Sequence, residues 1–151
     1  MRAVIDTCVI LDALQSRVPF EKDAQTIFLL AASEQFIGCI TAKSVADLCY
    51  ITHKHTHSDK ETRSILNKLF DLFELIDTAG ADCLHALPSA VSDYEDAIMA
   101  QTAKRIGADC IITRNEADYK AAGIKIYSPQ AFIEALQAEA DRAARFAQMQ
   151  E

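Results

Sequence analysis

The sequence predicts a three-layer α/β/α fold, with helices on both faces of a central parallel sheet. Short apolar runs of strand length recur along the chain, at 2–5, 35–40, 109–113 and 124–127. Segments with apolar residues at helical spacing separate them, and no linker, repeat or low-complexity break interrupts the alternation. Strand and helix in strict turn build parallel sheets, because each crossover must return the chain over a sheet face. At 151 residues the chain is the size of one domain, 1–151, with 128–151 forming a C-terminal helix and tail.

The elements follow in order. Residues 2–5 read as a buried strand, stopped by Asp6. Over 20–35, Phe20, Ala24, Ile27, Phe28 and Ala31 form a helical stripe, and Gln35-Phe-Ile-Gly-Cys-Ile40 is the second strand. Helices are expected over 42–54 and 59–72, the latter with the stripe Ile65, Leu66, Leu69, Phe70, Phe73. Between them His53, His55 and His57 read as a helix end and loop, a transition-metal site only by accident. Glu74-Leu-Ile-Asp77 is a third strand. A helix covers 93–106, a strand 109–113, a short helix 116–122 and a last strand 124–127. Ser128-Pro129 then starts the terminal helix, with Pro at its first position. Gly107 and Gly123 each follow a helix, where a left-handed residue ends it cheaply.

Composition narrows the class. Half the residues are hydrophobic and a quarter charged, which suits a folded globule rather than a disordered chain. No apolar run reaches the length of a membrane span, and the N-terminus enters a strand at once, so a cytoplasmic protein without a membrane partner is expected. Five cysteines, an odd number without a C-x-x-C pair, read as reduced packed thiols. The net charge of −7 opposes tight unassisted nucleic-acid binding. It suits a protein whose acids hold metal, or one held by a basic partner segment.

The chemistry lies in carboxylates at strand ends. Ala3-Val-Ile-Asp-Thr-Cys-Val-Ile-Leu11 is an apolar strand that stops at Asp6. Ser92-Asp-Tyr-Glu-Asp-Ala-Ile98 is a helix start loaded with acids, and Cys110-Ile-Ile-Thr-Arg-Asn-Glu-Ala-Asp-Tyr119 is a buried strand that runs into a polar cluster. Parallel sheets bind ligands beyond the carboxyl ends of their strands. Oxygen ligands from separate elements at such an end suit Mg2+, which keeps several waters. Each residue also has a structural reading. Asp6 is a natural helix cap for the segment from Thr7. Ser92 and Glu95 form a capping box, and Asp93 in the first turn suits the helix dipole. Asp96, followed by the small residues Ala97, Ala100 and Ala103, is harder to explain as solvated surface. Thr113 and Asn115 are donors for a phosphate or a bound water, and Arg114 a contact for a nucleic-acid backbone. Asn115 is also a helix cap, with Glu116 and Asp118 in the first turn. Asp47 shares a polar stripe with Lys43 one turn away, which explains it as a solvated pair.

Together these motifs resemble the PIN domains, a family of small metal-dependent ribonucleases that includes the VapC-type toxins. The chain is most similar to the subgroup with D-Y/F-E-D-A and T-R-N-x-x-D-F/Y signatures, and the similarity runs from Val4 to Pro129. The resemblance implies strand order 3-2-1-4-5 and an acidic cluster holding Mg2+ or Mn2+. Asp6 matches the acid ending the first strand and Asp96 the acid opening the later helix. Asp47 falls where the family usually has a helical Glu. Asn115 stands where many members have a fourth acid, and Asp118 supplies a carboxylate three residues later. Thr7 and Thr113 take the small polar positions beside the acids.

The expected function is a metal-dependent endoribonuclease, the toxin of a toxin–antitoxin pair. Asp6, Asp47, Asp96 and Asp118 carry catalysis and metal, with Asp93 and Asn115 as further ligands. Thr7, Thr113, Arg114 and Asn115 bind substrate. RNA, a cognate antitoxin and a second copy of the chain are the expected partners. Two rivals are an RNA-binding PIN-like domain with little turnover, and a phosphotransferase using Asp6 as nucleophile. The second lacks the usual D-x-D arrangement, since Asp6-Thr-Cys8 carries no second Asp.

Overall fold

The computed structural model describes residues 1–150. Among them, β1 (Arg2–Ile5), β2 (Ile37–Thr41), β3 (Glu74–Ile76), β4 (Cys110–Ile112) and β5 (Lys125–Tyr127) form one sheet. Its order is β3-β2-β1-β4-β5 and every pairing is parallel. The crossovers are α1 (Thr7–Leu14), α2 (Glu21–Ala32), α3 (Ala42–Thr56), α4 (Asp59–Leu72), α5 (Gly80–Ala86) and α6 (Tyr94–Arg105), and α7 (Pro129–Gln148) closes the chain. A 3-10 turn, Glu116–Tyr119, stands between β4 and β5 where the sequence suggested a longer helix.

The strands alternate their side chains between two cores. Ala3, Ile5, Ile40, Cys110 and Ile112 face one, which α1, α2, α3, α4 and α7 complete. Val4, Cys39 and Ile111 face the other, covered by α5, α6 and the 3-10 turn. Successive strand residues point to opposite faces, so a sheet covered on both sides must be apolar throughout. Gly38 in β2 is required by packing: a Cβ there would meet the Phe73 ring at 2.6 Å. Gly107 and Gly123 adopt φ of +69° and +70°, the left-handed conformation expected after a helix.

Three local expectations are corrected. The cap of α6 is Asp93, whose carboxylate accepts from the Asp96 amide at 3.1 Å, and not Ser92. Asp caps as well as Ser, and the one-residue shift frees Glu95 to reach Lys43 on α3 at 3.1 Å. Helix α5 has no counterpart in the sequence reading. It is held by Asp82, 2 % exposed, which bonds Arg105 Nε at 2.8 Å, Thr102 Oγ1 at 2.8 Å and the Ala79 amide at 2.9 Å. Burial works against that charge, but the Arg105 guanidinium, the Ala79 amide and the Thr102 hydroxyl outweigh it and hold the carboxyl below its usual range. The histidines do mark a helix end, but α3 runs on to Thr56: His53 and His55 lie on its last turn, His53 meeting Asp59 at 3.2 Å, and only His57, which closes the helix with φ +54°, stands outside it.

Ser128 caps α7 as expected, accepting from the Ala131 amide at 3.1 Å. Phe132 and Leu136 are buried, whereas 137–150 are exposed throughout and helical to Gln148. Among the described residues no helix is long and apolar enough to cross a membrane.

Candidate functional site at the carboxyl ends of the strands

Strands β1 and β4 are neighbours, so whatever follows each of them arrives at the same place. The Asp6 amide extends the ladder by donating to the Ile112 carbonyl at 2.9 Å. Thr113, the next residue after β4, donates from Oγ1 to Asp6 Oδ2 at 2.8 Å. Asp6 does stand at the N-cap position of α1, but its carboxylate makes no cap bond. Its backbone carbonyl takes the helix bond from Val9 instead. The side chain, 8 % exposed, therefore turns inward to Thr113 and the site. A buried carboxylate with one hydroxyl partner keeps lone pairs for a ligand.

Asp96 enters from α6. Its Oδ1 accepts from the Tyr119 hydroxyl at 3.0 Å, and Tyr119 lies fully buried beneath it with a second contact to Met99 Sδ at 3.4 Å. Burial pushes the Asp96 carboxyl up to about 6, the charges of Asp6, Asp93 and Asp118 push the same way, and the Tyr119 bond opposes them. Burial and then the same carboxylates, Asp6 and Asp96, raise Tyr119 as well, so it remains a proton donor at ordinary pH. Crowded acids without a neutralising base have the electrostatics of a cation site.

The other expected site residues divide. Asp118 is exposed on the 3-10 turn, close enough for its charge to act on Asp96. Asn115 precedes that turn, exposed; its amide donates to Thr113 Oγ1 at 3.0 Å, so the threonine hydroxyl is fixed from both sides. Its side chain makes no cap bond. Thr7 is half-buried at the first position of α1. Arg114, its side chain 29 % exposed, bonds Asp12 on α1, with Nε to Oδ2 at 2.7 Å. Asp47 pairs with Lys43 at 3.4 Å, the arrangement its helix stripe suggests. Lys43 also holds Glu95, and so ties α3 to the start of α6. Cys8 lies 3.9 Å from Thr113 Oγ1, and burial followed by the Asp6 charge pushes its thiol up to about 11, which makes it an inert neighbour.

Sequence reasoning passed over Tyr119, Asp12 and the Lys43–Glu95 bridge. Tyr119 had a visible signal, since it closes the motif that carries Asp118. Asp12 had none, because its partner is 102 residues away.

Among the described residues no three His, Cys, Asp or Glu side chains form a closed metal-holding group. The donors nevertheless fit a hard divalent cation. Mg2+ is usually held by one or two carboxylates, its own waters and substrate phosphates, not by an all-protein cage. Asp6 and Asp96 supply two carboxylates from separate elements.

The family model for the PIN domain matches residues 2–117. No curated protein matches the chain in sequence. Among solved structures, a chain of VapBC2 from Rickettsia felis, bound to a DNA fragment from their promoter, is similar with a TM-score of 0.64. The two are 15 % identical over 85 % of this chain and 98 % of that one. A chain of DNA-bound VapBC from Salmonella typhimurium gives 0.62 at 18 % identity, over 85 % and 98 %. A toxin–antitoxin complex from Klebsiella pneumoniae gives 0.60 at 23 % identity, over 84 % and 97 %.

Proposed function

The chain belongs to the PIN domain family, and we propose that it is a metal-dependent endoribonuclease that hydrolyses RNA phosphodiester bonds as the toxin of a toxin–antitoxin pair. One observation carries the reading: Asp6 and Asp96 arrive from two elements at one sheet end, partly buried and without a base between them. Asp6 and Asp96 would hold the principal Mg2+ or Mn2+, with Asp118, Asp93 and Asn115 at its edge. A divalent ion supplies water activation there, together with neutralisation of charge developing on the phosphate oxygens. The chain's own residues supply position. Thr113 Oγ1 fixes the rotamer of Asp6, and Tyr119 Oη fixes that of Asp96 while keeping its own proton. The Thr113–Asp6 bond is buried and the Tyr119–Asp96 bond partly so, which limits bulk water at the inner edge of the site. Thr7, half-buried, and Asn115, exposed, would meet the RNA backbone.

Asp47 joins this set only if Lys43 releases it, since the two are paired. That pairing favours a second reading, an RNA-binding domain with little turnover. Single-stranded RNA incubated with the protein and Mg2+ or Mn2+ separates them. Cleavage that stops on chelation supports the nuclease, and RNA retained intact supports the binding domain.

A cognate antitoxin and a cytoplasmic setting belong to the same proposal. The similar chain from Klebsiella pneumoniae was solved in a toxin–antitoxin complex, and the net charge of −7 suits a basic antitoxin segment. Homodimerisation is part of the proposal too. The exposed second half of α7 with the Met149 that follows it, Phe146 71 % and Met149 84 % exposed, is its candidate contact for either partner.

A further inference from the structure

Asp12 is the one carboxylate of α1, 1 % exposed among Val9, Ile10, Leu11 and Ala13. A charge there is tolerated only with a well-placed partner. Arg114 is that partner. Its Nε donates to Asp12 Oδ2 at 2.7 Å and its Nη2 to Oδ1 at 3.3 Å, a fork meeting a fork. The guanidinium also lies over the Phe20 ring at 4.3 Å. One arginine thus ties together α1, the segment entering α2 and the turn after β4.

Position in the chain gives this arrangement its meaning. Arg114 stands between Thr113, which bonds Asp6, and Asn115, whose amide bonds Thr113. Asp6 and Asp12 are the cap and the sixth residue of the same helix, so they are about 9 Å apart along its axis. The turn is therefore held to α1 at two separated points. Thr113 also continues the β4–β5 ladder, its amide donating to the Tyr127 carbonyl at 2.9 Å, and Arg114 adds a fixed point beyond that ladder.

We propose that the Asp12–Arg114 pair, backed by Phe20, is a positioning device that fixes the Thr113–Asn115 turn and so sets Asp6 for metal binding. The inference rests on the nuclease reading above and assigns Arg114 a role other than contact with RNA. An arginine whose charge is matched by a buried carboxylate has little attraction left for phosphate. Arg114 acts through Thr113 and Asp6; it is not itself a catalytic residue.

The test uses the full chain and three variants: Asp12→Asn, Arg114→Lys and Phe20→Ala. Arg114→Lys keeps the charge and loses the fork. Phe20 is 41 % exposed, so its removal spares the core. Two quantities are measured: Mn2+ affinity by titration calorimetry without RNA, and kcat and KM on a single-stranded RNA oligonucleotide. Loss of a side chain that orients a metal ligand weakens metal binding by about tenfold or more, and the expected result for Asp12→Asn and Arg114→Lys is a Mn2+ affinity lower by about that factor. The expected fall in kcat is about 10- to 100-fold, as for a small misplacement of a reacting group, with KM nearly constant. Phe20→Ala should shift both in the same direction by less. Folded variants with wild-type Mn2+ affinity and kcat overturn the proposal, as does an Arg114→Lys defect confined to KM. If Asp12→Asn fails to fold, Arg114→Lys and Phe20→Ala decide. A wild type that binds Mn2+ but cuts no RNA defeats the nuclease reading alone, and the calorimetry still judges the device. A wild type that binds no Mn2+ overturns both.

Discussion

Asp96 shows how a single side chain can serve a site at the expense of the fold. Its carboxyl is raised from an ordinary 3.8 to about 6, chiefly by burial and then by its acidic neighbours. The folded state therefore binds that proton more tightly than the unfolded chain does, and stability falls as pH rises from about 4 to about 6. At pH 7 the penalty is fully present; below pH 4 it is absent. Asp96→Asn removes the charge and keeps an oxygen for Tyr119, so without metal it should raise the melting temperature at pH 7 and leave it unchanged at pH 4. A gain of about 1–2 kcal/mol, roughly half of what a shift of about two units would give in full because solvent screens a half-buried group, corresponds to a rise of about 3–6 °C for a chain of this size. Thermal melts at the two pH values check it. An equal change at both, or a fall at pH 7, would mean that the charge is not strained. Asp6 and Asp96 were legible in the sequence because each ends or opens an element. Tyr119 and Asp12 were not, since what makes them matter is a partner brought near only by folding.

At the scale of elements, most boundaries follow from apolar runs and helical stripes, whereas the strand order followed from the family resemblance. The exceptions have local causes. Helix α5 spans seven residues, Gly80–Ala86, too short for a stripe, and it exists through the bonds Asp82 makes to α6. The cap of α6 moved one residue because Ser92 and Asp93 are both good caps and only tertiary contacts chose between them. Helix α7 carries an open question in its own composition. Its first half buries Phe132 and Leu136, and its second half has no covering partner among the described residues. An isolated helix segment of about 12 residues is marginal in water, so a partner should stabilise it. Truncation after Gln137 should leave the melting temperature within about 2 °C, since exposed residues contribute little to stability. It should also weaken self-association or antitoxin binding. Light scattering and an affinity measurement with the antitoxin check this, and no change in either removes the tail as an interface.

For the whole molecule, the question is whether a domain of net charge −7 is organised around a cation. A cation that binds only the folded state stabilises it by mass action, by about 2.7 kcal/mol at a hundredfold excess over its dissociation constant. Mn2+ should therefore raise the wild-type melting temperature by several degrees. The Asp47→Ala variant distinguishes two roles for that residue. An unchanged response leaves Asp47 as the partner of Lys43, and a reduced one makes it a ligand. Family membership and topology were legible from the joint spacing of the motifs, while Asp47 was ambiguous because its helix stripe and its place in the family pattern point different ways. The central claim is that Asp6 and Asp96 together create a metal-dependent nuclease. Its most direct test is cleavage of single-stranded RNA by wild type, Asp6→Asn and Asp96→Asn in Mg2+ or Mn2+, with circular dichroism to verify the fold. The account predicts cutting by the wild type that chelation abolishes, and no cutting by either folded variant. Folded variants that cleave at the wild-type rate would contradict it.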